Sequence, residues 1–281
     1  MNVRQRPSRS VKSAAQNGAP KGINHTAVLP GSEPLSPLDN LFLVSEGQCT
    51  HMHVAVTAIF EPGTLMSGNG RVDIERIRDY IAARLHWIPR YRQRLTYTPL
   101  LGSPVWVDDE RFNINYHVRH TSLPRPGDEQ QLQWLAGRIK SQQLDREKPL
   151  WEMYIVEGLE GGRFAMITKT HHCMIDGVSG ADLLAVLLQP LPQDTPATPL
   201  PFRPRPAPTW RGLLQNDLAR RAVAPLNLAA RLIAEPAAVL DDIREAAAAI
   251  AGAVPSVRRA SDTPFNRAIG PHRRFDWLAM D

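Results

Sequence analysis

The spacing of hydrophobic positions changes several times along the chain, and each change marks an element. Residues 51–60 (HMHVAVTAIF) alternate and are rich in β-branched side chains, which predicts a strand stopped by Glu61-Pro62-Gly63. Over 73–86, Ile74, Ile77, Ile81 and Leu85 fall on one stripe at helical spacing, and Pro89 ends the helix. Residues 105–118 read as strand in parts, and 128–144 read as a helix with Leu132, Leu135 and Ile139 on its apolar face. Two strands, 152–158 and 163–170, are joined by a short turn that contains glycine, and 178–188 return to helical spacing. Strands interleaved with helices place the chain in the α/β or α+β class. The tight connections predict a sheet of mixed pairing.

The flanks read differently. Residues 1–30 are polar and basic with nothing to bury, and they predict a disordered tail that is solvated rather than anchored at a membrane. A domain follows over 31–189. Eight prolines between 189 and 208 rule out regular helix there and predict an extended linker over 190–209. The Ala-, Leu- and Arg-rich stretch 210–254 predicts two or three helices broken at Pro225 and Pro236, within a crossover reaching 268. Those helices are a candidate amphipathic surface, with a solvated or core-packed role equally open. Residues 270–281 (GPHRRFDWLAMD) alternate like a strand, which predicts the start of a further sheet segment over 269–281. No internal repeat is present.

Composition narrows the function classes. The 281 residues are 43% apolar and 22% charged, as in a globular protein with a core. The net charge of +5 lies entirely in Arg4, Arg6, Arg9, Lys12 and Lys21; beyond residue 30 the basic and acidic residues balance. A body without a basic excess argues against a nucleic-acid partner. Cys49 and Cys173 are too few for a disulfide framework or a four-thiolate metal site. No apolar run approaches the roughly 20 residues that span a bilayer, and no apolar stretch follows the basic start as in a secretory signal. A cytoplasmic protein, at most peripheral to a membrane, is expected.

The sharpest chemical feature is Thr170-His171-His172-Cys173-Met174-Ile175-Asp176-Gly177, where an apolar strand gives way to a helix. A histidine at a strand end acts as a general base when its ring is held in place and neutral near pH 7. An aspartate four residues on can order the local turn, and glycine at 177 leaves room for a ligand. By themselves the paired histidines fit equally a core residue beside a surface one. A zinc site lacks paired cysteines or a His-x-x-x-His spacing, and Cys173 is on no nucleophile elbow. His51 and His53 face one way on a strand and form a candidate metal pair that lacks further ligands. Leu35–Asp39 reads either as a turn and helix cap or as part of a site, and Trp151 as core or substrate wall.

The run His171-His172-x-x-x-Asp176-Gly177 resembles the signature of the CoA-dependent acyltransferase superfamily, which includes chloramphenicol acetyltransferases and peptide-synthetase condensation domains. Further segments resemble its bacterial wax ester synthase/diacylglycerol acyltransferase branch. They are Pro34-Leu35-Ser36-Pro37-Leu38-Asp39, Lys148-Pro149-Leu150-Trp151-Glu152 and Ile269-Gly270-Pro271-His272-Arg273-Arg274, in the family's order. The resemblance implies a two-layer α/β sandwich like one half of a chloramphenicol acetyltransferase, with the Pro-rich linker and helical crossover leading toward a second half-domain that is absent. It implies fatty acyl transfer from acyl-CoA, a co-substrate, to diacylglycerol or a long-chain alcohol, with no resident cofactor or metal. His172 is then the general base, His171 its neighbour in packing, Asp176 an orienting residue and Gly177 part of the turn. Pro37, Asp39 and Trp151 are candidate substrate contacts; Arg273 and Arg274 could pair with acidic groups or with CoA phosphates. The apolar substrates imply work at a membrane or lipid-inclusion surface, and the uncovered half-domain face implies self-association. Two other readings stand beside it: a related acyltransferase or condensation domain with another acceptor, and an acyl-CoA- or lipid-binding fragment with an incomplete site.

Overall fold

A computed structural model of the chain describes residues 31–61, 63–67, 71–175, 199–241, 243–244, 270 and 274–277. In chain order the regular elements are β1 (Ser32–Pro34), α1 (Pro37–Ser45), β2 (His53–Phe60), α2 (Ile74–Ala82), β3 (Gln93–Tyr97) and β4 (Pro104–Asp108). They continue with α3 (Ile114–His117), β5 (Val118–Ser122), α4 (Glu129–Ser141), β6 (Trp151–Glu157), β7 (Phe164–His171) and α5 (Trp210–Ala234). The main sheet has the order β2-β7-β6-β5, and β1-β4-β3 make a smaller one. In the main sheet β2/β7 and β7/β6 are antiparallel while β5/β6 is parallel, the mixed pairing expected from the tight and long connections.

All eight residues of β7 are buried, so this central strand is covered on both faces. Its period of two sorts the core. Ala165 and Ile167 turn to Leu132, Ala136 and Ile139 of α4, together with Val156 of β6. Phe164 and Met166 turn the other way, joining Met153 and Ile155, Ile77 and Ile81 of α2, and Leu95 and Trp106 of the smaller sheet. Each of the Val, Leu, Ile, Phe and Met side chains among them contributes about 1.5–3 kcal/mol on burial, so the register that carries β7 to His171 is strongly specified.

The helices begin where the side chains dictate. Asp73 caps α2 by accepting from the Arg76 amide, and Asp128 caps α4 by accepting from Gln131. The Gln131 side chain in turn accepts from the amide of Gly127, the residue before the cap. Gly127 has φ +80, and a Cβ there would lie 1.9 Å from the Gly158 carbonyl oxygen, so only glycine fits where the loops before α4 and after β6 touch.

Three expectations are corrected. The helical stretch from Trp210 does not break at Pro225: α5 runs through it to Ala234, and the interruption comes at Glu235 before residues 236–241 resume as helix. Proline costs about 3 kcal/mol inside a helix, but Ala, Leu and Arg flank it and carry the turns across. Pro236, which opens the next helical stretch, occupies the position where a missing N–H costs nothing. In the segment read as strand at 270–281, the described residues 274–277 pair with no strand. His51 precedes β2 instead of joining it. The stretch 105–118 is strand in parts, as read: it comprises β4, α3 and the start of β5. The expected helix 178–188 and the first part of the linker, 190–198, lie outside the described residues; 199–209 is irregular, as its prolines require.

Candidate active site

His171 is the last residue of β7, opposite His53 at the start of β2. Backbone bonds tie down both motif histidines: the His171 N–H donates to the Leu150 carbonyl (2.9 Å) and the His172 N–H to the Met52 carbonyl (2.7 Å). The chain then enters a short 3-10 turn, His172–Met174, capped by His171, whose Nδ1 accepts from the Cys173 N–H at 3.1 Å. A ring nitrogen that accepts carries no proton, so neutral His171 has its proton on Nε2.

His172 is half-buried, and its ring stacks on Phe42 with centroids 3.8 Å apart. Its Nδ1 is buried without a hydrogen-bond partner among the described residues. Phe42 belongs to α1, and α1 is set by the Pro34–Asp39 segment. Ser36 caps it by accepting from the Asp39 N–H (3.1 Å) while its hydroxyl donates to Asp39 Oδ2 (2.7 Å), and Pro37 takes the first helical position. Pro37 is exposed on an open groove of about 600 Å³ that Val44, Leu101 and Arg220 also line, whereas Asp39 is buried within the cap.

The Pro149–Glu152 segment meets the motif from the other side. Besides the Leu150 carbonyl, it supplies Trp151, 1% exposed, whose indole N–H donates to the Tyr91 carbonyl at 2.8 Å. His117 stacks on that indole at 4.6 Å, so Trp151 lies within the core. Glu152 is 3.3 Å from the fully buried Lys169 Nζ. Lys169 also donates to the Ile139 and Gln142 carbonyls at the end of α4, and desolvation holds its amine below the ordinary range against the opposing pull of Glu152.

One functional-looking residue left no mark in the sequence reading. Glu46, directly after α1, has a side chain 1% exposed. Its Oε2 accepts from Arg146 Nη2 at 2.6 Å and Nε at 3.2 Å and lies 3.6 Å from His171 Nε2, while Oε1 is 3.2 Å from His53 Nε2. Burial opposes the charge on this carboxyl, but His171, His53 and Arg146 outweigh it and hold Glu46 well below the usual carboxylate range. Desolvation lowers His53 despite the neighbouring carboxylate. The available signal was the helical stripe Asp39, Phe42, Leu43 and Glu46, an apolar face bearing two acids.

The other candidates fall into place around this centre. Burial pushes the Cys173 thiol upward, the opposite of an activated nucleophile. His51 Nε2 lies 3.0 Å from the Gln48 carbonyl oxygen, and His53 turns to Glu46, so the two do not converge on a shared ligand position. No metal-holding group of three His, Cys, Asp or Glu side chains occurs among the described residues. Arg274 pairs with Asp276 at 2.7 Å on the surface. Asp176, Gly177 and Arg273 lie outside the described residues.

An imidazole at the end of a buried strand, stacked on one helix and braced by a second histidine, has the form of a general-base site in an α/β scaffold. The family model of the wax ester synthase/diacylglycerol acyltransferase catalytic domain matches residues 35–281, and the chain belongs to that family. A Mycobacterium tuberculosis protein provisionally named a diacylglycerol O-acyltransferase is 34% identical over 276 residues, covering 92% of this chain and 53% of that protein. Another from the same organism, with the same provisional name, is 42% identical over 146 residues, 52% of each chain. The chain thus spans about half the length of the curated relatives it matches. Among solved structures, the wax ester synthase/diacylglycerol acyltransferase of Marinobacter aquaeolei VT8 is similar at 35% identity with a TM-score of 0.46, over 53% of this chain and 35% of that one.

Proposed function

We propose that this chain carries the general-base half of an acyl-CoA-dependent O-acyltransferase that acts on diacylglycerol or a long-chain alcohol. The observation that carries the reading is the seating of His172 at the end of β7, between the Phe42 ring and the turn capped by His171. In the reaction, the acceptor hydroxyl oxygen forms a bond to the thioester carbonyl carbon while His172 takes its proton. The tetrahedral intermediate then collapses, the carbon–sulfur bond breaks, and His172 returns the proton to the departing CoA sulfur. No covalent acyl-enzyme forms and no cofactor is consumed, because holding both substrates together supplies much of the rate. Asp176 and Gly177 order the turn after His172 in this reading. Family membership supports the substrate class, and the relatives' names point to diacylglycerol as acceptor.

Work at a membrane or lipid-inclusion surface follows from such apolar substrates. No helix among the described residues is long and apolar enough to cross a membrane. The test is acyl transfer by the 281-residue chain from palmitoyl-CoA to diacylglycerol and to hexadecanol, alongside His172→Ala. Loss of the general base is expected to lower turnover about 10²–10⁴-fold. A His172→Ala chain with undiminished turnover would sink the assignment.

A further inference from the structure

We infer that Glu46 is a positioning residue for His172, acting through His171 and through α1; as a statement about catalysis this rests on the acyl-transfer reading above. A buried carboxylate must be paired, and Arg146, with two N–H groups on Oε2, already meets that need. Two imidazoles nevertheless face the same carboxylate, His53 at 3.2 Å and His171 at 3.6 Å. Charge balance alone does not call for them.

The His171 ring is held at two points. Nδ1 accepts the Cys173 N–H, which leaves the ring proton on Nε2, the atom that faces Glu46. A ring flip would lose both interactions at once, so the carboxylate selects the tautomer and rotamer that cap the turn beginning at His172. The distance of 3.6 Å makes the contact electrostatic rather than a short hydrogen bond. Glu46 reaches His172 by a second route. Arg146 Nη2, fixed on Glu46, also donates to the Leu43 carbonyl at 2.9 Å, fastening the last turn of α1, and the residue before Leu43 is the Phe42 that stacks on His172. One carboxylate therefore governs both the backbone beneath the His172 ring and the ring packed against it. Its partners come from residues 53, 146 and 171, far apart in the chain.

The experiment uses the 281-residue chain with Glu46→Gln, which keeps the shape and removes the charge, and Glu46→Asp, which keeps the charge and withdraws it by one methylene. ¹⁵N-histidine NMR reads the ring tautomers, and steady-state kinetics with palmitoyl-CoA and hexadecanol reads turnover. Expected are a wild-type His171 protonated at Nε2, shifted ring signals of both His171 and His172 in Glu46→Gln, and kcat lower by about ten- to a hundredfold with KM within about twofold. Should Glu46→Gln not fold, Glu46→Asp carries the same expectations. A wild-type His171 protonated at Nδ1, or a folded variant with unchanged His172 signals, overturns the inference. So does a folded variant whose kcat matches wild type. A residue that only stabilises the fold would lower the folded fraction and leave the signals of that fraction in place. If the wild-type chain turns over no substrate, it is the acyl-transfer reading that fails, and the NMR comparison still decides whether Glu46 positions the histidines.

Discussion

His117 shows at the residue scale how the core opposes a charge. Its ring stacks on both Phe112 and Trp151 and its Nδ1 donates to the Trp151 carbonyl. Burial pushes it down to about 4, against the bond to Trp151 and the acids Asp109 and Glu152, which favour the proton. Between its ordinary 6.5 and about 4, the unfolded chain binds a proton that the folded chain refuses, so stability falls as pH falls through that window. The whole shift is worth about 3 kcal/mol, and the depressed His53 adds with the same sign. Urea midpoints at pH 7 and 4.5 should therefore differ less in His117→Asn, which keeps a donor for Trp151 without titrating, than in wild type. Equal differences would refute the assignment. The same residue-scale view separates what was legible in the site from what was not. His171 and His172 announce themselves by adjacency at the end of an apolar run. Glu46 does not, because its meaning lies in residues 53, 146 and 171, and pairings that arise only on folding leave no spacing to read.

At the scale of elements, legibility followed the length of the periodic signal. α2 and α4 were readable because an apolar stripe coincides with an aspartate cap, and β6 and β7 because a glycine-bearing turn separates two apolar runs. β1, with three residues, and α3, with four, are too short for any period to develop. α5 departs from the break expected at Pro225 because the strong helix formers on either side outweigh one local penalty. The α4 cap gives a direct test. Asp128→Ala removes the acceptor for the Gln131 N–H and is expected to cost about 1 kcal/mol in chemical denaturation, while Asp128→Asn should fall within a few tenths of wild type. If Ala and Asn behave alike, the cap does not stabilise the helix.

At the scale of the whole molecule, the main sheet and its helices form the body that holds the histidines, and residues 205–221 are fastened to the smaller sheet and the loop between β3 and β4. Arg205 pairs with Asp108 at 2.8 Å, Leu213 packs on Val105 and Val107, and buried Asp217 accepts from Thr98 and Ser103, each at 3.3 Å. Beyond Arg221, α5 is largely exposed. Fixation is thus uneven: dense around β7 and sparse along the distal half of the long helix. Cys173, 2% exposed and locked by its own N–H to His171, sits in the densest part, whereas Cys49 is half-buried in a loop. A thiol reagent therefore finds two timescales in one molecule. Cys49 should react promptly, and Cys173 only when the turn that carries His172 comes apart, so its labelling rate is a clock for that opening. If Cys173 reacts no faster than the chain unfolds globally, the His172 turn and the core open as one unit. If it reacts faster, the turn has a loosening motion of its own, timed by the Cys173 sulfur.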